Sequence, residues 1–231
     1  MKYYDEWRHV FKLDPNKEID DDALALVCES GTDAVIVGGT DGVTLDRTLS
    51  LLARVRRFPV TCALEVSTLS AVTPGFDHYL IPAVMNSTDV KWFVGKHHEA
   101  VKVYGELIDW EEVLVEGYCV LNDKAKVAQK TTANTALTTE DVLAYARLAD
   151  KMYRFPFFYL EYSGVLGSKA LVEQVREVLT ETKLIYGGGI KTAAEAAAFA
   201  AYADVVVVGN AIYEQLEEAL KTVEAVRAQK A

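Results

Sequence analysis

The sequence predicts one closed (β/α)8 barrel of the TIM type on three observations: its length, an alternation of β-rich and amphipathic runs, and the number of those runs. The 231 residues match the roughly 200–250 that such a barrel takes as one domain. No linker, repeat or shift in composition divides the chain, so residues 1–231 are expected to form a single domain. Hydrophobic residues make up 51% and charged residues 25%, enough apolar material for a large core and too much for disorder.

The runs that read as strands lie near Trp7 to Leu13, Asp33 to Val37, Val60 to Glu65, His78 to Pro82, Val113 to Leu121, Phe157 to Tyr162, Lys183 to Tyr186 and Asp204 to Val208. They number eight, which closes a barrel; a doubly wound open sheet is the alternative that the same alternation allows. Helices are expected over Asp20 to Ser30, Leu45 to Phe58, Asp89 to Gly105, Thr139 to Met152, Ser168 to Leu179, Thr192 to Tyr202 and Ala211 to Ala228. Asp, Ser or Thr at their starts and Gly or Pro near several stops supply caps and breakers. The third unit differs. Val66 to Asp77 contains Pro74, Gly75 and several hydroxyl residues, and is too short and broken for a helix with its two loops, so one side of the barrel should be left open there.

Charge and composition exclude several functions. A formal net charge of -10 without a concentrated basic patch would repel a nucleic-acid backbone. It would also repel a phosphorylated substrate, so a phosphate-using enzyme of this composition needs a cation, a lysine or helix amino termini at its site. The most apolar stretch, Ala193 to Val208, is broken by Glu195 and Asp204 and falls short of the ~20 residues of a membrane span. Membrane association is therefore expected to be peripheral at most. The charged amino terminus lacks a secretory h-region, and Cys28, Cys62 and Cys119 are odd in number and far apart, as free thiols of the cytoplasm would be.

Reactive groups of a barrel sit at the carboxyl ends of its strands. The first strand ends in Phe11, Lys12, Leu13, Asp14 and Pro15; alternation puts Lys12 and Asp14 on one side, where they suit a phosphate and a magnesium ion, or else simply pair with each other. After the second strand come Gly38, Gly39 and Thr40, which let a ligand approach the backbone and offer oxygen to magnesium, or form a plain glycine turn. On the sixth strand Tyr159 and Glu161 share a face. A glutamate ending so apolar a strand is costly to bury without a task or partner, so Glu161 is the general-base candidate, with a cross-barrel ion pair as the alternative. The seventh strand runs into Gly187, Gly188 and Gly189, the eighth into Gly209 and Asn210, and each feeds a helix. Two glycine-marked junctions at this place in a barrel read as a phosphate cup of backbone N–H groups and helix dipoles. Phe93, His97, Ala100 and Tyr104 follow helical spacing down one face, where the small Ala100 leaves room for a groove beside the irregular third unit.

These segments resemble the PcrB and geranylgeranylglyceryl phosphate synthase family, in its bacterial heptaprenylglyceryl phosphate synthase branch. The resemblance spans essentially the whole chain and rests on FKLDP at Phe11 to Pro15, VGGTDGVT at Val37 to Thr44, YLEYSG at Tyr159 to Gly164, YGGGI at Tyr186 to Ile190 and VGN at Val208 to Asn210. It implies a barrel with an irregular segment in place of the third helix, and commonly a homodimer. It further implies contacts to glycerol 1-phosphate from Lys12, Tyr159, Leu160, Glu161, Tyr162, Ser163, Gly164, Gly189, Gly209 and Asn210, with Mg2+ near Asp14 and Thr40. The implied reaction joins that alcohol to a polyprenyl diphosphate, the bacterial branch pointing to a heptaprenyl rather than a geranylgeranyl chain. Phe93, Ala100 and Tyr104 would line the prenyl groove. Two other readings share the phosphate cup: a barrel enzyme acting on a sugar phosphate, and a barrel that binds a phosphorylated ligand without turnover.

Overall fold

The structure, a computed structural model, describes residues 3–229. Eight parallel strands close on themselves in chain order: β1 (His9–Leu13), β2 (Ala34–Val37), β3 (Thr61–Glu65), β4 (His78–Val84), β5 (Val113–Val120), β6 (Phe157–Glu161), β7 (Lys183–Gly187) and β8 (Val205–Val208). Closure is seen in the pairing of β1 with β8, where Val10 faces Val207, which rules out the open sheet. Around them run α1 (Asp21–Glu29), α2 (Leu45–Val55), α3 (Gly95–Tyr104), α4 (Lys126–Thr131), α5 (Thr139–Arg147), α6 (Lys169–Val178), α7 (Ala193–Ala200), α8 (Ala211–Glu214) and α9 (Leu216–Arg227).

The caps explain why these helices start where they do. Asp20, Thr44 and Ser168 each accept a bond from a backbone N–H three residues on, and Thr138 and Thr192 form reciprocal capping boxes with Asp141 and Glu195. Between β3 and β4 only one 3-10 turn, Leu69–Ala71, interrupts the irregular segment expected at Val66 to Asp77. Three expected helices are subdivided. The stretch from Asp89 becomes a 3-10 turn, Val90–Trp92, before α3; the one from Thr139 ends in a π-helical turn, Leu148–Tyr153; and the last breaks at Gln215 into α8 and α9. The six-residue α4 was not expected, because its only stabilising context is the fold around it: Ala125 and Ala128 pack over the barrel mouth.

Two apolar layers result. Outward strand residues such as Phe11, Val35, Leu160 and Tyr186 pack beneath the helices, while Val10, Ile36, Ala63, Leu80, Leu114, Phe157, Ile185 and Val205 fill the lumen. Tyr4 and Trp7 close the amino-terminal end, Trp7 stacked on Phe157 with centroids 6.2 Å apart. At the opposite end the lumen turns polar, with Lys12, Glu65, Glu116, Tyr118, Tyr159 and Glu161 in the inward register of their strands.

Away from that end, one buried charge fixes the frame. Asp150, in the π-helical turn, accepts from the backbone N–H of Thr180, Glu181 and Thr182 at 3.3, 2.9 and 2.8 Å and pairs with Lys151 at 2.7 Å. Burial alone would raise its pKa, but the Lys151 bond and these donors hold it well below the usual carboxylate range. Its stabilisation is therefore complete above the unfolded value of about 4 and lost as pH falls through the depressed folded one. Asp150→Ala is expected to cost roughly 2–4 kcal/mol at pH 7, with the deficit shrinking in acid; denaturant midpoints at both pH values check this.

Candidate active site

Two cavities meet at the carboxyl-terminal end. The first, about 190 Å³, lies over the lumen and is lined by Lys12, Asp14, Gly38, Gly39, Thr40, Tyr159, Glu161, Ser163, Gly164, Gly187, Gly188, Gly189, Gly209 and Asn210, among others. The second, about 470 Å³, is mostly apolar and runs outside the barrel between β4, β5 and α3, past Ile81, Val113, Val115, His97 and Ala100. Its wall includes Val66, Ser67, Thr68 and Leu69, so the missing third helix is what leaves it open. Gly39 and Thr40 line both cavities and mark their junction.

The floor of the first cavity is built on strand alternation. Glu161 is 3% exposed, yet each of its oxygens has a partner: Oε1 accepts from the Ser163 hydroxyl at 2.6 Å and from the Ser163 backbone N–H, and Oε2 accepts from the Tyr118 hydroxyl at 2.5 Å. It makes no cross-barrel ion pair among the described residues, so that alternative falls. Burial, with Glu161 nearby, pushes the Tyr118 and Tyr159 phenols well above their ordinary pKa, which keeps both neutral. The Ser163 turn is itself fixed, its carbonyl accepting from Asn122 Nδ2 at 2.6 Å.

The expected phosphate cup sits beside this carboxylate. Gly188 and Gly189 have φ of +133° and +70°, and a Cβ on Gly189 would overlap the backbone of Val165 and Leu166, so the chain after β6 packs directly on the chain after β7. Gly209 is different: its φ is not positive, and a Cβ there would meet nothing nearer than the Lys12 carbonyl at 3.6 Å. The fold leaves space beside Gly209 rather than requiring it. The four-residue α8 follows at once, its start free of a side-chain cap, in the place where barrels carry a short phosphate-binding helix. Lys17 and Lys191 add positive charge near α8, Lys17 donating to Asn210 Oδ1 at 2.8 Å and Lys191 lying 3.4 Å from Glu214.

Lys12 does not pair with Asp14. Its ammonium is gripped by both oxygens of Glu65, at 2.7 and 2.6 Å. Burial alone would lower the lysine's pKa, but Glu65 first and then Glu161 raise it, so the charge is retained. Asp14 instead closes its own turn, Oδ1 accepting from Asn16 N at 2.9 Å, and lies against Gly39, where a Cβ would come within 2.6 Å of it. Its backbone N–H donates to the Tyr213 hydroxyl at 3.0 Å, and burial pushes that phenol up to about 12. The Thr40 carbonyl accepts from the Lys130 ammonium, which leaves the hydroxyl as the oxygen Thr40 offers to a cation. Among the described residues no three His, Cys, Asp or Glu come together as a self-sufficient metal cage. One carboxylate and one hydroxyl at the junction do fit magnesium, which takes few protein ligands and completes its shell with water and substrate phosphate.

Four expected residues lie elsewhere. Leu160 and Tyr162 face outward into the layer beneath the helices, because alternation turns them away from Tyr159 and Glu161. Phe93 stands before α3 and packs on Tyr153, centroids 5.4 Å apart, and Tyr104 is 41% exposed at the far end of that helix. Neither lines the apolar cavity; Ala100 does, with Lys96, His97 and Val101. The sequence reading missed Glu65, Glu116 and Tyr118, although the argument that singled out Glu161, a carboxylate in an apolar strand, applies equally to the two glutamates.

The sequence profile of the PcrB family matches residues 2–227. The chain belongs to the PcrB family. Among its relatives, the heptaprenylglyceryl phosphate synthase of Shouchella clausii is 70% identical over 230 residues, covering 100% of this chain and 99% of the relative. That of Geobacillus thermodenitrificans is 63% identical over 221 residues, 96% and 92% of the two chains. The solved structure of (S)-3-O-geranylgeranylglyceryl phosphate synthase from Thermoplasma acidophilum, in complex with sn-glycerol-1-phosphate, superposes with a TM-score of 0.85 at 22% identity over 98% of this PcrB chain and 96% of its own. At that identity the likeness carries the fold alone.

Proposed function

We propose that this PcrB-family chain is a magnesium-dependent prenyltransferase that forms an ether between sn-glycerol 1-phosphate and a long polyprenyl diphosphate, heptaprenyl by preference. The observation that carries the reading is the position of Glu161, a carboxylate held by Tyr118 and Ser163 on the floor of a glycine-lined cavity that joins an apolar one at Gly39 and Thr40. A small phosphorylated alcohol suits the first cavity and an aliphatic tail the second. A sugar-phosphate enzyme or a simple phosphate binder would have no use for the second.

In this reading the phosphoryl group rests on the backbone around Gly189, Gly209 and Asn210, and Lys17 and Lys191 offset the acidic surroundings. The free glycerol hydroxyl gives its proton to Glu161 as its oxygen bonds to the allylic carbon, whose bond to the diphosphate oxygen breaks. Asp14 and Thr40 would hold magnesium, which when bound neutralises charge on the departing diphosphate. Each buried CH2 of the tail is worth about 0.8 kcal/mol, so the groove beside Ala100 rewards long chains. Among the described residues no helix is long and apolar enough to cross a membrane, in keeping with action in the cytoplasm on lipid substrates met at a membrane surface. The exposed apolar side chains of Val103 in the last turn of α3 and of Leu107 and Trp110 after it suit assembly as a homodimer.

Incubation with labelled glycerol 1-phosphate, magnesium and diphosphates of graded chain length is expected to give a lipid-extractable ether, fastest with the longest chains and abolished by EDTA. Equal or better use of geranylgeranyl diphosphate would overturn the heptaprenyl preference. No ether with any chain would overturn the reading as a whole.

A further inference from the structure

Glu116 is fully buried, and neither of its carboxyl oxygens has a hydrogen-bond partner. A bare acid inside a barrel is costly, and an apolar residue of the same size would serve the fold better. Its position gives it a use. Inward side chains of alternate strands share a layer of a TIM barrel. Two strands across from Lys12 the register reaches Ala63, two residues before Glu65; two strands across from Glu65 it reaches Leu114, two residues before Glu116. The offset that brings Lys12 onto Glu65 therefore brings Glu65 toward Glu116, and the three form one layer on β1, β3 and β5.

Lys12 lines the anion cavity and Glu65 the apolar one, so their ion pair stands in the wall between the two. For Lys12 to hold a phosphoryl oxygen it must give up at least part of its grip on Glu65. No other hydrogen-bond partner of Glu65 is seen among the described residues, and its exposure is 8%. Its charge would be stranded.

We propose that Glu116 is a positioning residue of the transfer reaction: its carboxylic acid O–H replaces Lys12 as the partner of Glu65 when the ammonium turns to the substrate's phosphoryl oxygens. Burial first, then the charges of Glu65 and Glu161, raise the Glu116 pKa well above the ordinary carboxyl value, with Lys12 opposing, which favours the protonated form this role needs. The titratable groups that share the lumen with it are Lys12, Glu65, Glu161, Tyr118 and Tyr159; β4 adds Leu80 and Val84 there, and His78 stands at the opposite end beside Tyr4 and Trp7. No covalent bond changes: one hydrogen bond from Lys12 is exchanged for one from Glu116.

The inference rests on the prenyl-transfer reading for its substrate, but its test requires no turnover. Calorimetric titration of the full chain with glycerol 1-phosphate and, separately, with inorganic diphosphate identifies through Lys12→Met which anion the ammonium holds. Glu116→Leu is expected to weaken that same anion about tenfold or more, while its melting temperature stays equal or rises. Glu116→Gln, whose amide N–H can donate to Glu65, is expected to stay within about threefold of the wild type. Because the proton is lost as pH rises, wild-type affinity relative to the glutamine variant should fall on the alkaline side. Any of three results overturns the proposal: Lys12→Met weakening neither anion, Glu116→Leu binding within twofold of wild type, or the leucine and glutamine variants losing affinity alike. A wild type that binds these anions but forms no ether would sink the transfer reading and leave this exchange to be decided by the affinities alone.

Discussion

Glu161→Gln is expected to lower kcat by about 10²- to 10⁴-fold, the range that a positioned general base supplies. The substitution keeps the side chain's shape: the amide oxygen can keep both bonds from Ser163, and the Tyr118 hydroxyl can turn to accept from the amide N–H. What is removed is the capacity to take the proton of the attacking hydroxyl. KM for glycerol 1-phosphate should move much less than kcat, because the phosphoryl group sits on the glycine junctions rather than on Glu161. Steady-state kinetics alongside a melting curve check the prediction. A variant with near-normal kcat would leave Glu161 as a part of the wall, and an equal fall in kcat and melting temperature would make it a strut.

The barrel was legible in the sequence because its elements are punctuated locally. Thr192 and Glu195, three residues apart, form the capping box that starts α7, and the broken composition of Val66 to Asp77 leaves the gap from which the apolar cavity opens. Alternation on β6 put Tyr159 and Glu161 on the inner face, where both line the first cavity. The same rule turned Leu160 and Tyr162 outward, and a motif carried over as a continuous run cannot make that distinction. Partnership across the barrel was the part that could not be read. Lys12 and Glu65 are 53 residues apart, and whether a lysine pairs with a near aspartate or a distant glutamate depends on how the strands are staggered, which no local pattern encodes. Phe93 misled for a related reason: helical spacing joined it to Ala100, but the chain enters α3 only at Gly95, and the 3-10 turn before it rotates Phe93 onto Tyr153.

Gly189→Ala and Gly209→Ala are expected to fail in opposite ways, although both glycines line one cavity. At Gly189 the added methyl would overlap backbone atoms of Val165 and Leu166, and a φ of +70° is strained for any side chain with a Cβ. Neither the chain after β6 nor that after β7 can yield without moving Ser163, so stability should fall by roughly 2–4 kcal/mol and activity should fall with it. At Gly209 the methyl meets ordinary contacts, and losing glycine's freedom in the unfolded chain should leave stability equal or raise it by about 0.4–1 kcal/mol. The methyl would instead occupy space beside the start of α8 where a phosphoryl oxygen belongs. KM for glycerol 1-phosphate should then rise on the order of tenfold, about 1.4 kcal/mol of lost binding, with KM for the prenyl diphosphate little changed. Denaturant unfolding of both variants, with KM measured for each substrate, separates the outcomes. An unchanged glycerol 1-phosphate KM in a well-folded Gly209→Ala would mean that the anion rests elsewhere, because the space the fold leaves at that position would then have no occupant.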